Sequence, residues 1–332
     1  MGNVAGSLRW GILGTGWIAS EFTQDLLATG MTVAAVGSRS QDSADTFAKR
    51  FGIATAYSSY EALAADPDVD AIYISTPHSF HYDNAKLVLN SGKHALVEKA
   101  FTLNAGEARE VVELAADRGL VILEAMWTRW LPHMVRIREI IAAGTLGDVR
   151  TVIADHNQRL SSDPAHRILS PDLGGGALLD LGIYPVSFAS DIFGKPSSVT
   201  AVSTRTASTG VDRQTVIILG YPDGQQAVLH TALDTLGPNT AAVIGTLGRI
   251  EIGSVWYTPT SFTVFDQHGE VVERFNEDVV SRGMQFEAQA LERIVASGAL
   301  VGDELPSAET VAIMETLDEV RSQIGLVYPA EL

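Results

Sequence analysis

A glycine pattern close to the start of the chain carries the first chemical signal. Residues 10–19 read WGILGTGWIA, so apolar residues run into Gly14-Thr15-Gly16 and then into Trp17-Ile18. This order predicts a buried strand, a tight turn and the start of a helix. The spacing G-x-G-x-x-A is typical of dinucleotide-binding turns, in which backbone N–H groups at the helix start bind the pyrophosphate. We therefore expect these five residues to contact a cofactor; a glycine loop without a ligand is the alternative.

The end of the next expected strand indicates which dinucleotide binds. That strand, residues 31–37, runs into Ser38 and Arg39. Sites that prefer NAD place an acid at about this point, roughly 20 residues after the glycines, where it binds the ribose 2′-hydroxyl. A hydroxyl and a guanidinium suit a 2′-phosphate instead, because arginine binds phosphate through a planar fork. The sequence favours NADP, with NAD possible; a solvated arginine at a strand end is the alternative.

Three further side chains could act on a substrate. Lys99 ends an expected strand over residues 94–99. Asp180 and Tyr184 follow Gly174-Gly175-Gly176 on an expected helix, and their spacing of four residues places them on one helix face. A carboxylate and a phenol on one face can address the same substrate hydroxyl. Core packing of Tyr184, capping by Asp180 and a solvated Lys99 are the structural alternatives.

The elements that position these residues change in kind along the chain. Up to about residue 125, strands alternate with helices, which predicts a doubly wound parallel sheet with ligands beyond the carboxyl ends of its strands. After a helix over 132–143, strands follow one another with turn signals between them, which predicts an antiparallel sheet, and two helices near 284–297 and 307–324 close the chain. We predict an α/β protein with an N-terminal Rossmann domain (1–125) and a C-terminal α+β domain (126–332) built on a large, mainly antiparallel, open-faced sheet. These later strands are expected over 149–155, 198–208, 214–219, 226–233, 240–245, 249–252 and 261–265.

Composition excludes several functional classes. The 332 residues exceed one ordinary core, and the absence of cysteine excludes disulfides, zinc thiolates and cysteine nucleophiles. A formal charge of −17 argues against a general nucleic-acid binder. No apolar run approaches the roughly 18 residues of a membrane helix. The first ten residues show neither a signal peptide nor, with Met1-Gly2 and Ser7, the usual myristoylation spacing. The absence of cysteine fits a cytoplasmic protein. The histidines at 78, 81, 94, 156 and 166 match no metal motif, so no metal is expected.

Several motifs together resemble the Gfo/Idh/MocA family, named for glucose–fructose oxidoreductase and inositol dehydrogenase. The resemblance spans roughly the whole chain, and it is narrower toward the branch of dimeric dihydrodiol dehydrogenases and NADP-dependent D-xylose dehydrogenases. The motifs are GILGTG, STP followed by His81, GKHALVEK, EAMWTRWLP, GTLGDV and GGALLDLGIYPV.

The resemblance implies an oxidoreductase that moves a hydride between nicotinamide and an alcohol carbon without a metal. Tyr184 stands where the family usually has histidine, so it would be the base in oxidation and the acid in reduction. Lys99 would lower the pKa of that phenol and hold the substrate oxygen, and Asp180 would orient the substrate or Tyr184. The cofactor contacts implied beyond the glycine turn are Thr76, Pro77, His81, Glu98 and Lys99.

The resemblance also implies a substrate pocket and an assembly. Trp127, His156 and Trp256 would join the substrate site, since aromatic walls suit a sugar, a polyol or a cyclic diol. Arg129 is as readily structural as substrate-binding, and core packing is the alternative for Trp256. The family commonly covers the open sheet face by pairing subunits, which implies a homodimer or homotetramer.

The chain departs from the family's motif at the residue after Lys99, and three other functions compete with the oxidoreductase. The family's usual E-K-P is Glu98-Lys99-Ala100 here, so no proline ring fixes the backbone beside the lysine. A catalytically silent NADP(H) sensor of the same fold is the main rival. A methyltransferase does not explain Lys99 and Tyr184, and a short-chain dehydrogenase needs lysine where Phe188 stands.

Overall fold

The computed structural model describes residues 7–332, which divide into two compact units. The first comprises the chain up to Trp127 together with Val280–Thr310, and the second comprises Thr128–Val279 and Val311–Leu332. The signal-peptide and myristoylation expectations rest mainly on residues 1–6, which lie outside the described part. None of the helices in the described part is long and apolar enough to cross a membrane.

Fourteen strands in the described residues form two sheets. They are β1 (Arg9–Leu13), β2 (Thr32–Gly37), β3 (Thr55–Tyr57), β4 (Ala71–Ile74), β5 (His94–Glu98), β6 (Ile122–Ala125), β7 (Val149–Asn157), β8 (Ser198–Arg205), β9 (Asp212–Gly220), β10 (Gln226–Ala232), β11 (Ala241–Gly245), β12 (Gly248–Ile252), β13 (Phe262–Asp266) and β14 (Val271–Phe275).

Nine α-helices accompany these strands in the same part of the chain. They are α1 (Trp17–Ala28), α2 (Gln41–Phe51), α3 (Tyr60–Ala64), α4 (His81–Asn90), α5 (Ala105–Arg118), α6 (Pro132–Ala142), α7 (Ile183–Phe193), α8 (Gln285–Ser297) and α9 (Ser307–Ile324). Local signals set several boundaries. The Ser59 hydroxyl accepts the Ala62 N–H at the start of α3, and Asn104 does the same for Glu107 at the start of α5.

The sheet of the first unit is parallel, with strand order β3-β2-β1-β4-β5-β6. The order reverses beside β1, which pairs with β2 on one side and with β4 on the other. Such a switch point opens a crevice at the carboxyl ends of the strands, and this is where doubly wound folds bind ligands. The predicted Rossmann sheet is therefore confirmed, and the glycine turn follows β1 at the switch point.

The second unit is built on an eight-stranded sheet of order β14-β13-β12-β11-β7-β10-β9-β8. All neighbours are antiparallel except β7 and β10, which confirms the predicted mainly antiparallel sheet. Side chains alternate along its strands: Ile217 and Leu219 are buried, whereas Val216 and Ile218 are exposed. One face therefore packs inward and the other is open in the single chain.

The chain returns to the first unit near its C-terminal end, which differs from the predicted boundary at residue 126. Helix α8 is fixed there by polar contacts: Glu292 accepts the Trp10 indole N–H at 3.1 Å, and Asp25 accepts the Met284 N–H at 2.9 Å. These partners lie more than 250 residues apart in sequence, so no local pattern indicated them. The Rossmann unit therefore consists of residues 7–127 and 280–310.

Candidate active site

The glycine turn after β1 has the shape that a dinucleotide phosphate needs. Gly14 has φ +108°, its N–H donates to the Gly37 carbonyl at 2.9 Å, and a Cβ at this position would lie 2.7 Å from Ser75 Oγ. A Cβ at Gly16 would meet nothing within 4 Å. The first glycine is therefore required by the turn, and the second leaves open space over the start of α1. The arrangement fits a pyrophosphate on the first N–H groups of α1.

Exposed and polar side chains surround this turn. Trp17 is 64% exposed, whereas Thr15 and Ile18 are half-buried. A cavity of about 380 Å³ runs from Thr15 along the facing sides of α1 and α2. Its other lining residues are Ser20, Asp42, Ser43, Thr46, Phe47 and Arg50.

The end of β2 keeps the polar pair that suits a 2′-phosphate. Ser38 is buried, with its Oγ 3.4 Å from Thr15 Oγ1, so it adjoins the glycine turn. Arg39 is exposed, and its guanidinium lies near the Tyr60 hydroxyl. A phosphate at this point would meet a hydroxyl and a guanidinium rather than a carboxylate.

His81 ties together the ends of β4 and β5. Its Nε2 faces the Thr76 carbonyl at 2.7 Å and its Nδ1 faces the Ala100 carbonyl at 2.9 Å. The ring is fully buried, and this burial lowers the pKa of His81 to about 4. The expectation that His81 contacts the cofactor does not hold, because its side chain has no exposed surface and both nitrogens are directed at backbone carbonyls. The neutral ring has one N–H, so it donates to one of the two carbonyls and packs against the other, between Thr76 and the Lys99–Ala100 segment.

Lys99 lies at the carboxyl end of β5 in a tightly held backbone. Glu98 is buried, accepts the Tyr73 hydroxyl, and also accepts the Lys99 N–H at 3.2 Å. The Lys99–Ala100 peptide bond is cis, and the next N–H, that of Phe101, donates to Glu124 at 3.2 Å. Side chains from neighbouring strands thus hold the segment that lacks the family's proline. Lys99 itself is half-buried.

A glycine and a buried carboxylate set the start of the second unit's site helix. Asp212 is fully buried and accepts the Leu178 N–H at 2.7 Å, and burial raises its pKa to about 6. Gly176 has φ +123°, and a Cβ there would lie 2.1 Å from an Asp212 carboxylate oxygen. Only glycine therefore leaves room for Asp212 to reach the start of this helix.

The helix that carries Asp180 and Tyr184 is not regular. Residues Leu178–Gly182 form a π-helical turn, and α7 continues from Ile183. The turn that carries Asp180 is therefore wider than a regular α-helical turn, whereas Tyr184 lies in the first turn of α7; the shared face of the two side chains stays a prediction. Asp180 and Tyr184 are 7% and 8% exposed, and Arg167 lies 3.4 Å from the Asp180 carboxylate.

Tyr184 belongs to a cluster of three rings within the second unit. The His156 ring meets it edge-on at 4.9 Å between centroids, and His156 stacks on Tyr257 at 3.7 Å. The side-chain amide of Gln158 lies 2.8 Å from His156 Nε2 and 3.3 Å from the Tyr257 hydroxyl. Sequence reasoning missed Tyr257 and Gln158. The one available signal was the neighbouring aromatic pair at 256 and 257.

Two residues expected in the substrate pocket have structural roles. Trp256 has no exposed surface, packs against Phe188, and donates its indole N–H to the Asp155 carbonyl at 2.7 Å, so it does not form a pocket wall. Arg129 is 3% exposed, pairs with Asp191 at 3.1 Å, and donates to the Ser187 carbonyl at 2.9 Å. Arg129 therefore holds α7 and is not available to a substrate.

Trp127 and the histidines complete the inventory of expected residues. Trp127 is 4% exposed and its ring lies beside the Arg282 guanidinium within the first unit. Within residues 7–332, no group of three or more His, Cys, Asp or Glu side chains could hold a metal ion. Hydride chemistry of the implied kind does not require one.

Comparisons with known proteins identify the family of the chain. Residues 8–125 match the oxidoreductase family with an NAD-binding Rossmann fold, and residues 134–251 match the GFO/IDH/MocA C-terminal domain. The chain is 38% identical to trans-1,2-dihydrobenzene-1,2-diol dehydrogenase of Bos taurus over 98% of this chain and 99% of that protein. It is 35% identical to D-xylose 1-dehydrogenase (NADP(+)) of Hypocrea jecorina, over 97% and 93% of the two chains.

A solved structure extends the match to three dimensions. KijD10, a 3-ketoreductase from Actinomadura kijaniata in complex with NADP and TDP-benzene, superposes with a TM-score of 0.84 at 27% identity, covering 96% of this chain and 98% of that one. The resemblance predicted from the motifs is thereby confirmed. The chain belongs to the Gfo/Idh/MocA family of NAD(P)-dependent oxidoreductases.

Proposed function

We propose that the protein is an NADP-preferring dehydrogenase or reductase of CH–OH groups in a sugar, a polyol or a cyclic trans-diol. The observation that carries this proposal is the placement of the Tyr184 phenol, in the first turn of α7 directly after the π-helical turn that carries Asp180, and against the ring of His156. Relatives named as dihydrodiol and xylose dehydrogenases support the substrate class. Aromatic faces with adjacent polar groups suit a ring that carries hydroxyls.

Each side chain then has a defined task. Bound NADP supplies the hydride acceptor or donor. Tyr184 takes the proton from the substrate hydroxyl in oxidation and returns it to the carbonyl oxygen in reduction. Following the family resemblance, the Lys99 ammonium lowers the pKa of the phenol and binds the same substrate oxygen. Asp180 orients the hydroxyl, and the buried His156 ring packs against Tyr184 and Tyr257 and holds these two rings in place.

A turnover panel tests the reaction class. Aldoses, inositols and trans-dihydrodiols are supplied with NADP, the matching ketones and lactones with NADPH, and nicotinamide absorbance is followed. We expect cofactor-dependent turnover of at least one hydroxylated ring compound. Tight NADPH binding with no turnover in either direction would favour the rival reading, a silent NADP(H) sensor.

Arg39 provides the test of cofactor preference. Replacing Arg39 with alanine is expected to weaken NADPH binding by about tenfold and NADH binding less than twofold, because a charged hydrogen bond to the 2′-phosphate is lost only in NADPH. Dissociation constants are measured from nicotinamide fluorescence without substrate, and Lys49→Ala, on the exposed last turn of α2, is the matched control. Equal losses for both cofactors would contradict the 2′-phosphate assignment.

We also propose that the open sheet face pairs two copies of the chain. Ile153, Val228 and Ile218 stand side by side on β7, β10 and β9, and each is at least 39% exposed. Val202 and Val216 form a second exposed apolar pair across β8 and β9. A continuous aliphatic surface of this kind is typical of a subunit interface. Members of the family commonly pair subunits through this face, which supports a homodimer or a homotetramer.

The mass of the protein in solution tests whether the chain forms the proposed oligomer. Sedimentation is expected to give at least twice the chain mass of 35.4 kDa, and Ile218→Lys is expected to give a monomer because a buried unpaired charge opposes association. Ala116→Lys, at an exposed position of α5 in the first unit and away from the open sheet, serves as the comparison for added charge alone. A monomeric wild-type protein would contradict this assembly.

A further inference from the structure

A guanidinium lies between two indole rings beside the dinucleotide turn. The Arg282 Cζ is 5.1 Å from the centroid of the Trp17 ring and 5.4 Å from that of Trp127. All three residues belong to the first unit. Trp17 is the first residue of α1 and directly follows Gly16. Cation–π contacts on both sides hold the arginine next to the turn.

The backbone that carries Arg282 is anchored to α1. Asp25 is 1% exposed, and its carboxylate accepts the Met284 N–H at 2.9 Å, the Arg282 N–H at 3.4 Å and the Ser281 hydroxyl. These contacts join a segment near residue 280 to a helix near the start of the chain. Arg282 is therefore a positioned cation rather than one on a free surface loop.

The guanidinium retains donors that can bind a ligand. Within the described residues, Glu21 is its carboxylate neighbour, at 3.8 Å from Nε, and that separation is too long for a hydrogen bond. The Nε atom is buried without a hydrogen-bond partner, and about a third of the side chain is exposed. Glu21 thus orients the arginine electrostatically and leaves its N–H groups available.

The strand order shows which half of the cofactor Arg282 faces. Trp127 follows β6, and β4, β5 and β6 lie on one side of β1, whereas Arg39 follows β2 on the other side. A dinucleotide that crosses the switch point has its pyrophosphate at β1, with the adenosine half toward β2 and the nicotinamide half toward β4. Arg282, between the turn and Trp127, therefore lies on the nicotinamide side.

We propose that Arg282 binds the nicotinamide-side phosphate of the pyrophosphate, as a cation that completes the anion site formed by the N–H groups of α1. The inference rests on NAD(P) binding at the glycine turn and adds a residue to it. The planar guanidinium can bind two phosphate oxygens while it remains stacked on Trp17. A local cation here also offsets the repulsion that a chain of net charge −17 exerts on an anionic cofactor.

The test compares the affinity for whole dinucleotides with the affinity for a fragment that lacks the nicotinamide-side phosphate of the pyrophosphate. Arg282→Gln keeps a planar group for the indoles and removes the charge. We expect it to raise the dissociation constants of NADPH and NADH alike by about tenfold, and to change that of adenosine 2′,5′-bisphosphate less than twofold. Arg293→Gln is the matched control, because this exposed arginine lies on α8 and pairs with Glu304 at 3.2 Å. Binding is measured without substrate by fluorescence or calorimetry.

Four results would overturn the inference. The first three concern Arg282→Gln: unchanged affinity for both dinucleotides, a loss of affinity confined to NADPH, or an equal loss of affinity for the bisphosphate. The fourth is a loss of dinucleotide affinity in Arg282→Lys as large as in Arg282→Gln. The lysine variant keeps the charge but not the planar pair of donors, and it is expected to recover part of the affinity that the glutamine variant loses, so it also separates charge from packing if the glutamine variant is destabilised. If the wild-type protein bound neither dinucleotide, the proposed function would fail as well. If the wild-type protein binds both dinucleotides and Arg282→Gln binds them with unchanged affinity, only this inference is overturned.

Discussion

Replacing Tyr184 with phenylalanine is expected to lower kcat by about a thousandfold while the dissociation constant of NADPH stays within twofold. General acid–base catalysis contributes factors of about 10² to 10⁴, and phenylalanine keeps the ring that packs against His156 and Tyr257 while removing the proton donor. The cofactor turn lies in the other unit, so cofactor binding is measured separately by fluorescence. Steady-state turnover of the best substrate from the panel gives kcat.

Tyr221→Phe is the matched control for this experiment. Tyr221 is a buried tyrosine of the same unit, it packs on Phe193 at the end of α7, and its hydroxyl has no hydrogen-bond partner among the described residues. Loss of that hydroxyl is expected to leave kcat within about twofold. A Tyr184→Phe enzyme that turns over as fast as Tyr221→Phe would remove Tyr184 from the mechanism.

Replacing Lys99 with methionine is expected to lower kcat/KM by about a hundredfold or more and to move the pH profile of oxidation upward. Methionine keeps most of the apolar stem and removes the ammonium, so the substrate oxygen loses an electrostatic partner. In the proposed mechanism the Tyr184 phenol also loses a positive charge that favours its ionised form, so the pKa of the proposed base is expected to rise. Rates of alcohol oxidation from pH 6 to pH 10 measure both effects.

Lys86→Met controls for the loss of a lysine in the same unit. Lys86 lies on α4, where it donates to the Tyr82 hydroxyl at 2.8 Å, and its removal is expected to change neither kcat/KM nor the pH profile. The double variant Lys99→Met with Tyr184→Phe should lose little more activity than Tyr184→Phe alone, because residues that act as a unit are non-additive. Fully additive losses, or an unmoved pH profile, would contradict the assistance of Tyr184 by Lys99.

The spacing of local residues was sufficient to predict most of the fold. The run from β1 through Gly14 and Gly16 into α1 carries its own strand, turn and helix signals, and so do the buried strands β4 and β5. Strand periodicity likewise predicted β7 to β13 and the antiparallel sheet. Helix α5 and the short edge strand β14 were missed. β14 is mostly half-exposed or exposed, so its residues show no clear alternation between buried and solvated positions.

The site was predictable as a set of positions but not as a set of contacts. Ser38 and Arg39 stand at the end of β2 and Lys99 at the end of β5, as the strand pattern indicated, and Asp180 and Tyr184 lie on consecutive helical segments. The sequence left open whether Trp256 and Arg129 are structural, and their burial became clear only from partners in distant segments, such as Asp155 for Trp256 and Asp191 for Arg129. Tyr257 entered the site for the same reason, since its partner His156 is about a hundred residues away.

The amino-acid sequence by itself determined the parallel and antiparallel sheets, the phosphate-binding turn and the chemical groups at the strand ends, because these depend on periodicity and on neighbours a few residues apart. Only the tertiary structure decided that residues 280–310 rejoin the Rossmann unit, and with them that Arg282 lies between Trp17 and Trp127. The physical reason is that burial and hydrogen bonding between distant segments depend on how whole elements pack. No pattern confined to one stretch of the chain contains that information.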